Sequence, residues 1–131
     1  MYGVALDTVN QDLFWSTGLD DSIGRAELDG SNPTNLLTFG GSPHPGQLAL
    51  DVPGGHMYWL NFGFPDSIQR SNLDGSGVTT ILSVGARSNH GLALDLGAGH
   101  LYWTEQSAGT LMRANLDGSN VTQELSGLTA R

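Results

Sequence analysis

The chain repeats itself at a fixed interval. Asp7, Asp51 and Asp95 are spaced by 44 and 44 residues, and Trp15, Trp59 and Trp103 keep the same spacing. The turn aspartates Asp29, Asp74 and Asp117 are spaced by 45 and 43, so one residue of slack sits in the middle copy. A period of this size restricts a chain to stacked repeats, as in a propeller, a solenoid or an array. It constrains architecture much more than activity.

Each copy reads as four short strands. The first is GVALD, QLALD or GLALD, a small aliphatic run suited to burial on both faces. After a short turn comes LFWS, MYWL or LYWT, aromatic and β-favouring. A longer loop leads to SIGRAEL, SIQRSNL or TLMRANL, in which apolar and polar positions alternate. Asp-Gly-Ser then closes a hairpin, with Gly30, Gly75 and Gly118 supplying the positive φ of such turns. The fourth strand, TNLLTF, VTTILS or VTQELS, is the most polar. No segment carries a helical pattern of convincing length. Four antiparallel strands per period, the most apolar first, describe a propeller blade, and blades stack to cover both faces of each sheet. The expected fold is therefore all-β, with three blades of four antiparallel strands in one unit over residues 1–131: blade 1 at about 3–45, blade 2 at about 46–90 and blade 3 at about 91–131.

Composition fits this reading and excludes several functions. Glycine is abundant, at 19 of 131 residues, as many tight turns require. Cysteine is absent, which removes disulfides and thiolate metal sites. The net charge is −8, and six of the 13 acids are the repeated strand-end and turn aspartates, so much of the charge belongs to the scaffold. With five basic side chains and no basic stripe, nucleic acid is not an expected partner. No apolar run approaches the ~18 residues of a membrane-spanning helix. The N-terminus opens directly inside a repeat, and no targeting segment is read there.

The segments Tyr58-Trp59-Leu60-Asn61 and Tyr102-Trp103-Thr104-Glu105 resemble the YWTD motif of the low-density-lipoprotein-receptor β-propellers, and Phe14-Trp15-Ser16-Thr17 is a looser copy. The tail Ile/Leu-x-Arg-x-x-Leu-Asp-Gly-Ser, through Arg25, Arg70 and Arg113, is similar too. The chain departs from the motif at its fourth position: Thr17, Asn61 and Glu105 stand where that family has Asp, so only Glu105 keeps a carboxylate. The resemblance implies a propeller of six blades, of which three repeats make half, and an extracellular setting.

Half a ring would leave the flanks of its first and last blades uncovered, and closure with a second copy would cover them. The chain is thus expected to be its own partner, in a homodimer forming one six-bladed ring. The aromatic pairs Phe14 and Trp15, Tyr58 and Trp59, and Tyr102 and Trp103 are the expected blade-packing and assembly residues. The loops between second and third strands (STGLDD, LNFGFPD, TEQSAG) and the joins between blades (TFGGSPHPG, SVGARSNHG) vary most, and a ligand is expected on the face they share. Candidate contacts there are Phe62 and Phe64 in the aromatic loop, His44 and Arg87 in the joins, and Asn89 and His90 near the central channel.

No nucleophile elbow, phosphate loop or zinc-protease motif occurs, so no catalytic residue, metal ligand or cofactor is assigned. The leading expectation is a non-catalytic scaffold that self-assembles and binds a protein, peptide or other ligand through its loop face. Two alternatives stand beside it. One is a metal-dependent six-bladed-propeller hydrolase or lyase with a site at the central channel. The other is an excised or engineered half-propeller with no ligand of its own.

Overall fold

The computed structural model describes residues 3–18, 20–40, 44–63, 65–85 and 89–128, with the backbone alone at Asn89 and His90. Those residues form twelve strands and no helix. In chain order they are β1 (Gly3–Asp7), β2 (Asp12–Thr17), β3 (Ser22–Glu27), β4 (Thr34–Thr38), β5 (His44–Asp51), β6 (His56–Phe62), β7 (Ser67–Asn72), β8 (Thr79–Ser83), β9 (Asn89–Asp95), β10 (His100–Glu105), β11 (Thr110–Asn115) and β12 (Thr122–Leu125). Each run of four makes its own antiparallel sheet with the strands in sequence order. These are three meander blades, as the repeat requires. β5 and β9 start at His44 and Asn89, slightly ahead of the boundaries drawn from the repeat, because the last residues of each join already pair with the next strand.

Turn chemistry ends the strands. Asp7 accepts hydrogen bonds from the Val9 and Asn10 backbone at 3.0 and 2.9 Å. Asp51 and Asp95 do the same for Gly54 and Ala98 at 2.9 and 3.2 Å. Burial pushes the Asp7 carboxyl up, but donors from Asn10 and Val9 and the charge of Arg25 outweigh it and leave it below its ordinary value. The Asp-Gly-Ser turns are near-identical: Asp29, Asp74 and Asp117 each accept the Ser backbone N–H at 2.9 Å, and Gly30, Gly75 and Gly118 hold φ of 85–87°.

Adjacent residues on a strand point to opposite faces, and this splits each aromatic pair between two seams. Phe14 of blade 1 looks forward and packs with Leu48, Met57 and Trp59 of blade 2. Tyr58 of blade 2 looks forward in turn and packs with Leu92, Leu101 and Trp103 of blade 3. Thus the Trp of each blade looks back and the Phe or Tyr looks ahead. The core lies in these two seams. The β3–β4 type of turn also reaches across: a Cβ on Gly118 would come within 2.3 Å of the Ile81 carbonyl oxygen, and one on Gly75 within 3.2 Å of that of Leu36. The equivalent Gly30 has nothing within 4 Å.

Candidate functional site

Two kinds of surface stand out: the uncovered flanks and the loop face. The flanks follow from the pairing register. Trp15, Trp59 and Trp103 are equivalent, as are Val4, Leu48 and Leu92, and Leu6, Leu50 and Leu94. Leu48 and Leu92 are 2% and 8% exposed inside the seams, whereas Val4 and Leu6, on the back flank of blade 1, are 55% and 60% exposed. Trp15 lies there across Gly24, where a Cβ would sit 2.4 Å from its ring. Beside it is a recess of about 220 Å³ walled by Trp15, Thr17, Ser22, Gly24, Pro33 and Asn35.

The forward flank of blade 3 mirrors this. Tyr102 pairs across the sheet with Ala93 and Arg113, and Leu111 with Leu125. Phe39, Val84 and Leu128 are equivalent, since their N–H groups bond to the carbonyls of Asp21, Asp66 and Gly109 at 2.8, 2.9 and 2.9 Å. Val84 is buried in the second seam, and Phe39 tilts onto Trp59 in the first, with ring centroids 6.0 Å apart. Leu128, in the same role at the end of blade 3, is 45% exposed, and Leu125, the counterpart of Leu37 and Leu82, is 52% exposed.

Those same three backbone bonds tie each β4-type strand end to the loop before the third strand, so joins and variable loops lie on one face. On that face His44 Nδ1 and Asp21 Oδ1 hydrogen-bond, linking the first strand of blade 2 to the β2–β3 loop. His44 also stands opposite Phe62 in the β5–β6 register. The Phe62 ring rests on β5 where its register shifts, and a Cβ on Gly46 would meet it at 2.5 Å. In the same loop Asp66 accepts the Gly63 N–H at 3.0 Å. Asp20 is held below its ordinary carboxylate range by the hydroxyls of Thr17 and Ser22. The structure therefore brings His44 and Phe62 together. Asn89 and His90 fall within β9 on another blade, Asn89 paired with Glu105. Phe64 and Arg87 lie outside the described residues. Among the described residues no group of three or more His, Asp or Glu side chains could hold a metal ion.

Sequence reasoning missed one unit on the loop side of the second seam. Glu105 Oε1 accepts from Trp103 Nε1 at 3.5 Å and Oε2 from Thr110 Oγ1 at 3.1 Å. The signal was available: Trp and the motif's fourth residue are two apart on a strand, hence on one face.

Against solved structures, the chain superposes on one in a crystal structure of a nidogen/laminin complex with a TM-score of 0.86 and 26% identity, over 96% of its own length and 48% of the other chain. The fold is that of half a YWTD-repeat β-propeller. A TolB-type protein of Agrobacterium tumefaciens (TM-score 0.74, 16% identity, 93% of this chain and 47% of that one) shares the blade architecture. So does streptogramin B lyase (0.71, 19%, 96% and 40%), and in both the likeness is one of fold alone. The chain thus spans about half the length of the first two of these structures and 40% of the third. No protein-family model matches it. Within the YWTD frame, the motif's Trp is the wedge that looks back into each seam, and its Phe or Tyr closes the next seam from the other side.

Proposed function

We propose that this half-propeller is a non-catalytic scaffold that closes a six-bladed ring with a second copy of itself and binds a protein ligand through its loop face. One observation carries the closure: side-chain positions buried in, or packed against, both internal seams reappear half-buried or exposed at the two ends. The back flank offers Val4, Leu6 and Trp15; the forward flank offers Tyr102, Leu111, Leu125 and Leu128. These are the two halves of one more seam of the kind already built twice. The empty space at Gly30 fits the same account, because Gly75 and Gly118 each press on a preceding blade that Gly30 lacks. Hydrophobic area left open on this scale marks an interaction surface, and joining the flanks of two copies satisfies both at once.

Ligand binding through the loop face is supported by position. The variable loops and joins stand together on rigid sheets, with His44 and Phe62 in register, and we assign Phe62, Phe64, His44, Arg87, Asn89 and His90 as its contacts. The nidogen/laminin structure is named for a protein–protein complex, so a protein is the ligand class we favour. A metal-dependent hydrolase or lyase reading has only likeness of fold behind it.

Sedimentation equilibrium on Leu6→Asp and Leu125→Asp tests the closure. Each places a charge on one flank only, at a position more than half exposed in the single chain. The expected result is a folded single chain for each variant and a pair for the parent. Variants that keep the parent's mass would overturn the proposal.

A further inference from the structure

Each blade carries the same trio at the loop end of its seam: the wedge Trp, the residue two further on, and the hydroxyl opposite that residue. They are Trp15, Thr17 and Ser22; Trp59, Asn61 and Ser67; and Trp103, Glu105 and Thr110. In blade 3 the trio closes on itself, because Glu105 is long enough to take both the indole N–H and the Thr110 hydroxyl. Blade 2 has the shorter Asn61. Its amide N–H₂ donates to Gln69 Oε1 at 2.6 Å, and Gln69 Nε2 donates onward to Thr80 at 3.0 Å.

That arrangement leaves two polar atoms sealed from solvent without a partner, Trp59 Nε1 and Asn61 Oδ1. Trp59 is 0% exposed and Asn61 1%. Buried polar groups are almost always hydrogen-bonded, and those that lack a protein partner are commonly met by an internal water. The chemistry here is specific. An indole nitrogen can only donate, and an amide oxygen can only accept. Turning the Asn61 amide over would exchange the orphan acceptor for an orphan donor and repair nothing. One species serves both atoms at once by accepting from one and donating to the other.

We propose that blades 1 and 2 enclose a water-binding site in which a single ordered water accepts from Trp59 Nε1 and donates to Asn61 Oδ1. It stands where the Glu105 carboxylate stands in blade 3. The seam between blades 1 and 2 is therefore hydrated at the point where, in the next seam, Glu105 takes the indole N–H directly.

The test is a rotating-frame Overhauser experiment between water and the indole N–H protons of the ¹⁵N-labelled chain, with the Trp59 signal assigned by its loss in Trp59→Phe. The expected result is a bound-water cross-peak at Trp59 and none at Trp103. In Asn61→Glu that cross-peak should vanish, because the carboxylate takes the indole directly with Ser67 in the place of Thr110. The reciprocal variant Glu105→Asn should gain one at Trp103, and it decides the matter if Asn61→Glu does not fold. A parent chain with no water cross-peak at Trp59 overturns the proposal. So does a cross-peak that survives unchanged in Asn61→Glu, or a Glu105→Asn chain that gains none.

Discussion

Replacing Trp59 with alanine should remove the centre of the first seam. The side chain is fully buried, with Phe39 tilted onto it, and packed among Phe14, Ile23, Leu48 and Met57. An aromatic side chain of this kind buries roughly 150–250 Å². At about 25 cal/mol per Å², transfer alone amounts to about 4–6 kcal/mol, an upper figure because the unfolded chain hides some of that area. Partial collapse around the cavity brings the expected loss for Trp→Ala to about 3–5 kcal/mol. For a chain of 131 residues, that is a fall of roughly 10–20 °C in melting temperature. Thermal unfolding followed by far-ultraviolet circular dichroism at neutral pH measures it. Trp15→Ala is the internal control, since the same residue type lies on an outer flank over Gly24. If the ring closes, its cost should grow with protein concentration. A Trp59→Ala loss below about 1 kcal/mol would refute the wedge role, because no packed core position gives up a Trp so cheaply.

Three further perturbations have defined outcomes. Gly118→Ala should cost about 1–3 kcal/mol more than Gly99→Ala: both glycines hold positive φ, but only the first would drive a Cβ into the Ile81 carbonyl, and denaturant titration compares them. Gln11→Gly should stabilise by about 0.5–1 kcal/mol in the same assay, because Gln11 holds φ of 62° where Gly55 and Gly99 stand in the other blades. Acid should weaken the fold through the turns: the Ser side chains, then their backbone N–H groups, hold Asp29, Asp74 and Asp117 below their ordinary value, so the unfolded chain binds more protons in the window between. That contribution is fully present above about pH 4 and is lost as pH falls through the lowered folded values. Replacing Ser31, Ser76 and Ser119 with alanine should flatten the fall in melting temperature as pH drops below about 4.

The repeat made the blades legible, because the 44-residue interval and the Asp-Gly-Ser turns are local signals, and the four-strand order followed from them. The direction of the seam was less so. The aromatic pair reads as one packing unit in sequence, yet strand pleating sends Trp59 to blade 1 and Tyr58 to blade 3. Contacts between distant segments were out of reach. The His44–Asp21 hydrogen bond joins residues 23 apart through a loop whose course no pattern dictates. The Glu105 unit is hidden for a different reason: the motif's fourth position reads as a lost Asp, whereas in the structure the side chain's reach to Trp103 and Thr110 is what the position supplies.

The central claim, that two copies close one ring, is tested most directly by absolute mass from light scattering on the eluting peak of the 131-residue chain. The account predicts twice the 13.8 kDa chain mass, with dissociation only on dilution. A mass of one chain that holds across the concentration range, with a cooperative melt, would contradict it.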